Sequence, residues 1–600
     1  MRFLLLFASA AALIVAGYLG VLYGFTAYEV VRAELVVATA QIRPATLPYT
    51  LPGLAHTAAR YAALRGTIGL ALGGSIVALM VLGRWGGRRE ARRLAQEAGR
   101  AFRAVGRGWR GLARAEQWTA GLVMLLVVGM RYWFLRHTSF DPDEMVSLDY
   151  FARHGARLTA GFYQLPNNHV LYNVLGAMLL RLAPAAANPE LLVRLPSFAF
   201  GIMATGLVYA VLARLTSFRV ATFSVCCLQL VPLSIDYTIA ARGYGLQAAC
   251  VYALFLAVAV LLRGPACHRL AWVVAVTSSL LGFYLIPTFI YPFLSLGAGL
   301  VGGAWWQHRA RPLVPQALVA GATVLVLTGL LYLPIGLLSG WHTLLANPYV
   351  TQLSSHEFWK LLGPYYLWGT AGELFGQQLV TIPLLLLLLS GGMLAIRYWA
   401  PLRYWPVAAL AWVGLVGPLP LLMAQRVFAP PRTLHYVVFF GLLLAAFLFE
   451  AIVRRFRLPT RMAWLVAGVI VAGYAGFRVP RQVQSLEINL RQRAQAERTR
   501  HWLQRQHPNR VFTNAQIYHA YFQHLELALR NPPLPVHLAG DGPASGTYDC
   551  LMLKNGSAMP VWAARLPYRL AYQHADLLIY CLAAEAPAEP VHLQKTGAVR

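Results

Sequence analysis

Hydrophobic residues in this chain gather into uninterrupted runs of about 20 residues, separated by shorter polar gaps, from the N-terminus to about residue 480. A run of that length crosses the ~30 Å hydrocarbon core of a bilayer as an α-helix. The runs predict about thirteen transmembrane helices, near residues 3–23, 64–83, 117–135, 195–213, 220–238, 246–263, 270–286, 288–305, 315–336, 377–396, 405–424, 434–452 and 462–479. The first is longer than the ~7–15-residue apolar core of a signal peptide and reads as a signal anchor. The apolar piece from Val170 to Leu182 is too short to cross and carries Arg181 in its last turn, so it is expected to lie in the interface.

Beyond residue 480 the pattern changes. Residues 483–507 read as a polar, Arg-rich helix, and strand-like pieces follow at 510–513, 536–538, 548–553 and 577–582. The expected organisation is an N-terminal two-helix membrane extension with a basic loop (1–116), a main transmembrane domain (117–480) and a small soluble α/β domain (481–600). The fold class is therefore an all-α polytopic membrane protein with a small C-terminal α/β domain.

Composition and charge sharpen this picture. Of 600 residues, 58% are hydrophobic and 12% charged, which excludes a conventional soluble enzyme, where roughly 25% are charged. A net charge of +29 would suggest nucleic acid in a soluble chain. Here the arginines fall in alternate gaps: Arg84 to Arg114, Arg214 with Arg219, Arg263 with Arg269, Arg309 with Arg311, Arg397 with Arg403, and Arg454 to Arg461. That is the positive-inside pattern of a cytoplasmic (inner) membrane protein, with no nucleic-acid partner. It puts residues 24–63, 136–194, 239–245, 337–376, 425–433 and everything after 480 on the extracytoplasmic side. The basic segment 84–116 reads either as a loop obeying this rule or as a contact for anionic lipid or polyprenyl phosphate. Cys226, Cys227, Cys250 and Cys267 read as buried hydrophobes or free thiols. Cys550 and Cys581 lie in strand-like pieces of an outer domain, where an oxidising compartment leaves a disulfide open.

The chemistry concentrates in one loop. The first 480 residues hold fourteen acidic residues, and Asp141, Asp143, Glu144 and Asp149 fall within nine positions just outside a span. Ionisable groups at a membrane boundary are costly and mark function. A carboxylate crowded by others is expected to have its pKa raised toward working pH, which suits a general base. The alternative is an Asp-Pro turn in which Asp141 and Asp143 cap a short helix. Three other segments converge on the same side: Asn167, Asn168 and His169; Asp236, Arg242 and Tyr244; and Arg432 with His435. Arginine grips a phosphate bidentately and stabilises it as it departs, although a lone Arg at a span end often only snorkels to lipid.

These segments together, with Pro142-Asp143-Glu144, Asn168-His169, Arg194-Leu195-Pro196-Ser197 and Ala241-Arg242-Gly243-Tyr244 in this order, resemble the GT-C glycosyltransferases. The nearest groups are the aminoarabinose transferases, the protein O-mannosyltransferases and the lipopolysaccharide-core galacturonosyltransferase-like enzymes. The resemblance spans roughly residues 117–450. It implies a polyprenyl-phosphate-linked sugar donor and inverting transfer to an envelope glycan, lipid or protein acceptor on the outer face. Asp143 would be the catalytic carboxylate and Glu144 its partner. Arg242, Arg432, His169 and Tyr244 would hold the donor phosphate, with Asn168, Asp236 and His435 as further substrate contacts. The sequence departs from the family pattern at Asn168-His169-Val170, where Lys or His followed by Pro is usual, and in the two spans that precede the one carrying the loop. The chemistry requires no cofactor. Oxygen ligands suit Mg²⁺ or Mn²⁺, so a divalent metal on Asp143 and Glu144 stays open. Two other classes compete: a secondary transporter or flippase of envelope precursors, expected to carry its charges near mid-span, and a non-catalytic membrane scaffold.

Overall fold

The structure is a computed structural model; it describes residues 1–600 except 42–54, 85, 166, 185, 265–266, 346–351, 377, 530–533, 535, 539–547, 575, 583–590 and 593–600. Among the described residues twelve helices are long and apolar enough to cross a membrane, thirteen if a bent pair is counted as one span. The helices that matter below are α1 (Arg2–Leu19), α2 (Ala58–Arg84), α3 (Gly87–Arg110), α4 (Arg114–His137), α5 (Pro142–Val146), α6 (Val170–Leu182), α7 (Pro189–Leu215), α8 (Phe218–Gln229), α9 (Pro232–Ile239), α10 (Tyr244–Arg263), α11 (His268–Leu285), α12 (Val437–Arg455), α13 (Thr460–Gln506) and α14 (Gln516–Leu529). The expected interfacial helix is α6, over the residues assigned to it.

The span expected at 220–238 is not one straight helix. It breaks between Gln229 and Pro232 into α8 and α9, which meet at 73°. Pro232 stands in the first turn of α9, where its missing N–H costs nothing, whereas inside a continuous helix its ring would clash. Arg131 of α4 fills the break. Its guanidinium is almost fully buried and donates to the Gln229 carbonyl (3.2 Å) and side chain (2.8 Å) and to Ser234 Oγ (3.3 Å).

The last expected span and the Arg-rich helix after it form a single helix. At 47 residues, α13 runs about 70 Å and carries the chain out of the membrane without a joint. The domain boundary expected at 480 thus falls inside one helix, at Pro480.

Beyond α13, six strands form one sheet: β1 (Val511–Thr513), β2 (Val536–Leu538), β3 (Cys550–Lys554), β4 (Tyr568–His574), β5 (Leu577–Leu582) and β6 (Val591–His592), in the order β2-β1-β3-β5-β4-β6. β1 pairs parallel with β2 and β3, while β3 and β4 flank β5 antiparallel. Cys550 and Cys581 face each other in the β3–β5 register and are joined as a disulfide. The domain is not an appendage: Val511, Tyr518, Phe522 and Ile579 belong to the same buried cluster as Phe140, Met145 and Leu148 of the acidic loop.

Candidate active site

The acidic loop is built from the inside. Asp141 caps α5: its side chain accepts from the Asp143 N–H (2.8 Å), and Glu144 reaches back to the Asp141 N–H (3.0 Å), a capping box with Pro142 in the first turn. The capping alternative and the charge cluster therefore coexist in the same residues.

Glu144 is not an open partner of Asp143. It is buried, and its carboxylate accepts from Arg194 Nε (2.8 Å) and Nη2 (2.5 Å) and from the Ala241 N–H. Arg194 also donates to the carbonyls of Thr138 (2.9 Å) and Ser139 (2.7 Å). One buried ion pair thus ties the ends of α4 and α7 to the loop before Arg242, and Glu144 is placed as a positioning residue. The two adjacent carboxylates point to different partners, Glu144 to Arg194 and Asp143 to Arg242 and Arg432. Among the described residues no group of three or more His, Cys, Asp or Glu side chains is arranged to hold a metal.

Asp143 faces outward, its side chain 42% exposed. Oδ2 lies 3.4 Å from Arg242 Nη2 and 3.7 Å from Arg432 Nη1, and Oδ1 accepts from Asn167 Nδ2 at 3.3 Å. Arg242, nearly fully buried, also donates to the Asp143 carbonyl (3.1 Å), to Ser147 Oγ (3.3 Å) and to Asn167 Oδ1. The Nε atoms of both arginines are buried without a hydrogen-bond partner. The neighbouring charge of Arg242 outweighs burial and, with Arg432 and Asn167, holds the Asp143 carboxyl below the usual carboxylate range. This corrects the expectation of a raised pKa: the groups nearest Asp143 are cations. The raised acid is Asp141, pushed up to about 6 by the protein packed around it and by the charges of Glu144 and Asp143.

His169 sits at the head of α6 and accepts the Gly243 N–H at Nδ1 (2.7 Å), which leaves its proton on Nε2. A Cβ at Gly243 would stand 2.9 Å from that nitrogen, so only glycine lets the loop approach this closely. Burial first, then Arg242 and Arg432, push the His169 pKa well down, so the ring is neutral. Tyr244 packs edge-on to it at 4.7 Å and under the Arg242 guanidinium at 5.6 Å. His435, also buried, contacts the Arg432 carbonyl through Nδ1 (3.0 Å) and packs against Tyr237 at 5.2 Å.

Two expected substrate contacts lie elsewhere. Asn168 is buried, donating to the Thr159 (3.0 Å) and Phe162 (2.8 Å) carbonyls and accepting from Asn173 (2.9 Å), so it shapes the loop. Asp236 turns toward Gln482 of α13. Asn167, one position before Asn168, takes the place in the site.

Sequence reasoning also missed the contact from the C-terminal domain. His524 of α14 bridges Asp149 Oδ2 (2.7 Å) and Glu190 Oε1 (3.2 Å), while Arg153 (2.8 Å) and Arg493 (2.9 Å) complete the two carboxylates.

The whole is a polytopic membrane protein with an exposed carboxylate and two incompletely bonded arginines on one face. No protein-family model matches the chain, and no curated protein matches it. Among solved structures it is similar to ArnT from Cupriavidus metallidurans in the apo state, with 13% identity over 80% of this chain and 100% of that one and a TM-score of 0.48. It is similar to the same protein bound to undecaprenyl phosphate, with 12% identity, 78% and 99% coverage and a TM-score of 0.49. It is also similar to the arabinosyltransferase EmbB from Mycobacterium smegmatis, with 15% identity, 65% and 34% coverage and a TM-score of 0.39.

Proposed function

We propose that the chain is a membrane glycosyltransferase that moves a sugar from a polyprenyl-phosphate donor to an envelope acceptor, on the extracytoplasmic face, with inversion. The observation that carries this reading is the triad of exposed Asp143 with Arg242 and Arg432, both long contacts to the same oxygen and both with spare donors. A phosphate on the arginines draws them from Asp143. The carboxylate, ionised in the free protein, then loses its neutralising neighbours and becomes a stronger base. The acceptor hydroxyl attacks the anomeric carbon, its proton passes to Asp143, and the bond to the phosphate oxygen breaks with its electron pair onto a phosphate held by Arg242 and Arg432. Neutral His169 donates from Nε2 to the same phosphate, and Tyr244 fixes the plane of Arg242. The chemistry needs no cofactor.

The test is transfer from a polyprenyl-phosphate sugar in vesicles, with expression matched. Asp143→Asn keeps the side chain's size but not the proton acceptor and should lower turnover by the ~10²–10⁴-fold typical of losing a general base, with donor binding retained. Near-normal turnover in Asp143→Asn rejects the reading.

A further inference from the structure

α3, on the face opposite Asp143, has three sides. Its two acids turn inward: Glu97 is buried and accepts the N–H groups of Arg269 (2.7 Å) and Leu270 (3.1 Å) at the start of α11, and Glu90 (2.6 Å) and Glu97 (3.1 Å) both take the Arg269 guanidinium. With roughly 3.6 residues per turn, Ala91, Ala98, Phe102, Val105 and Trp109 fall on a second side, and all are exposed, Phe102 at 83%. The third side carries Arg92, Arg100, Arg103, Arg107 and Arg110, which are exposed and make no ion pair among the described residues. An exposed apolar stripe beside a cationic one is the pattern of a helix lying in a membrane interface.

Beneath the C-terminal half of α3 is a crevice of about 420 Å³, lined by Trp109, Leu112, Met124, Tyr209, Phe218 and Arg214. Arg214 is exposed, makes no ion pair among the described residues, and passes 3.8 Å from where a Gly108 Cβ would stand. Three polar groups nearby are hydrogen-bonded: Glu116 accepts the Ala113 N–H (3.1 Å), Gln117 donates to the Trp109 carbonyl (3.0 Å), and the Tyr209 hydroxyl bonds Thr222 (2.7 Å). An apolar crevice with the exposed guanidinium of Arg214 in its lining, under a helix with an exposed cationic side, fits an amphiphile with a negative head.

We propose that the C-terminal half of α3 and Arg214 form a binding site for one anionic phospholipid, its acyl chain in the crevice and its phosphodiester at Arg214. This site is independent of the transfer reading. The test is native mass spectrometry of the full chain in detergent, titrated with phosphatidylglycerol, with phosphatidylcholine, or with phosphatidylglycerol in excess inorganic phosphate. The wild type should retain phosphatidylglycerol over phosphatidylcholine, with inorganic phosphate unable to displace it. Arg214→Gln should bind it about fivefold more weakly or worse, and Arg214→Lys should restore binding, since near a headgroup the charge matters more than the fork. Restoration by Lys separates lost binding from lost folding. Equal retention of both lipids, unchanged binding in the Gln variant, or displacement by inorganic phosphate overturns the proposal.

Discussion

At the scale of single residues, the site rests on cations whose geometry is unfinished. Arg432 is half-exposed and Arg242 buried, yet each leaves its Nε unbonded and contacts Asp143 at more than 3.3 Å. Charge-assisted contacts of this kind contribute about 1.5–3 kcal/mol, so Arg432→Ala should weaken transfer by about 10–100-fold, chiefly through donor KM. Arg432→Lys should rescue only part, lacking the planar fork. Undiminished turnover in Arg432→Ala would assign that residue to lipid snorkelling. The same contact sets a pH signature. Because the arginines depress the Asp143 pKa, the base is ionised down to below the usual carboxylate range, and losing Arg432 should move the acid limb of kcat/KM upward. A limb that stays put would separate Asp143 from the titrating group. Asp143, Arg242, Arg432, His169 and Tyr244 were legible because an exposed site needs its charges on one side of the membrane, and sidedness is written in the arginine pattern. Glu144, Asn168 and Asp236 have the same side-chain chemistry, and what separates them is a partner far off in sequence: Arg194, the Thr159 carbonyl and Gln482. No spacing rule reveals that.

At the scale of elements, α14 is clamped on the acidic loop. Burial would lower the His524 pKa, but its hydrogen bonds to Asp149 and Glu190 outweigh that and raise it to about 9. A histidine raised above its unfolded value of ~6.5 lends stability that is full below that pH and fades as pH rises through the folded value, here between about 6.5 and 9. The shift corresponds to at most about 3 kcal/mol. Hydrogen-exchange protection of residues 139–151, taken relative to the base-catalysed intrinsic rate at each pH, should therefore be greatest below pH 6.5 and fall toward pH 9, and His524→Gln should flatten that fall. Protection that does not change with pH in the wild type would show that the bridge does not hold the loop. Asp149→Asn should likewise loosen the loop, although Asp149 is remote from the reacting groups. Clamps between elements are invisible in a single sequence, and so was β4. Its alternation is interrupted by a register shift between Leu570 and Tyr572, whereas β3 and β5, buried and regular, announced themselves. The break at Pro232 was masked by the apolar run on both sides of it.

At the scale of the molecule, the question is whether the bent pair α8–α9 crosses the membrane, because an odd number of crossings puts the two termini on opposite sides. Contacts decide it. Arg219, at the start of α8, pairs with Glu450 (3.0 Å), which also holds Arg454 (2.8 Å) at the end of α12. Arg242, just past α9, pairs with Asp143, as does Arg432 just before α12. The chain therefore enters α8 on the Arg454 face and leaves α9 on the Asp143 face, so the bent pair counts as one crossing and the total is thirteen. By the positive-inside rule the α3 face is expected toward the cytoplasm and the C-terminal domain outside, and reporter fusions test that orientation. A fusion at Arg481 would cut α13 and strip a domain whose core is shared with the acidic loop, so the reporter belongs at the C-terminus of the full chain and, for the other face, after Arg114. The C-terminal fusion should be active only as a periplasmic reporter and the Arg114 fusion only as a cytoplasmic one. Thiol labelling gives an independent reading: Cys550 and Cys581 should alkylate only after reduction, as expected for a bond kept in an oxidising compartment. Cytoplasmic reporter activity at the C-terminus, or two freely reactive thiols there in intact cells, would invert the orientation and remove the acceptor side assigned to Asp143.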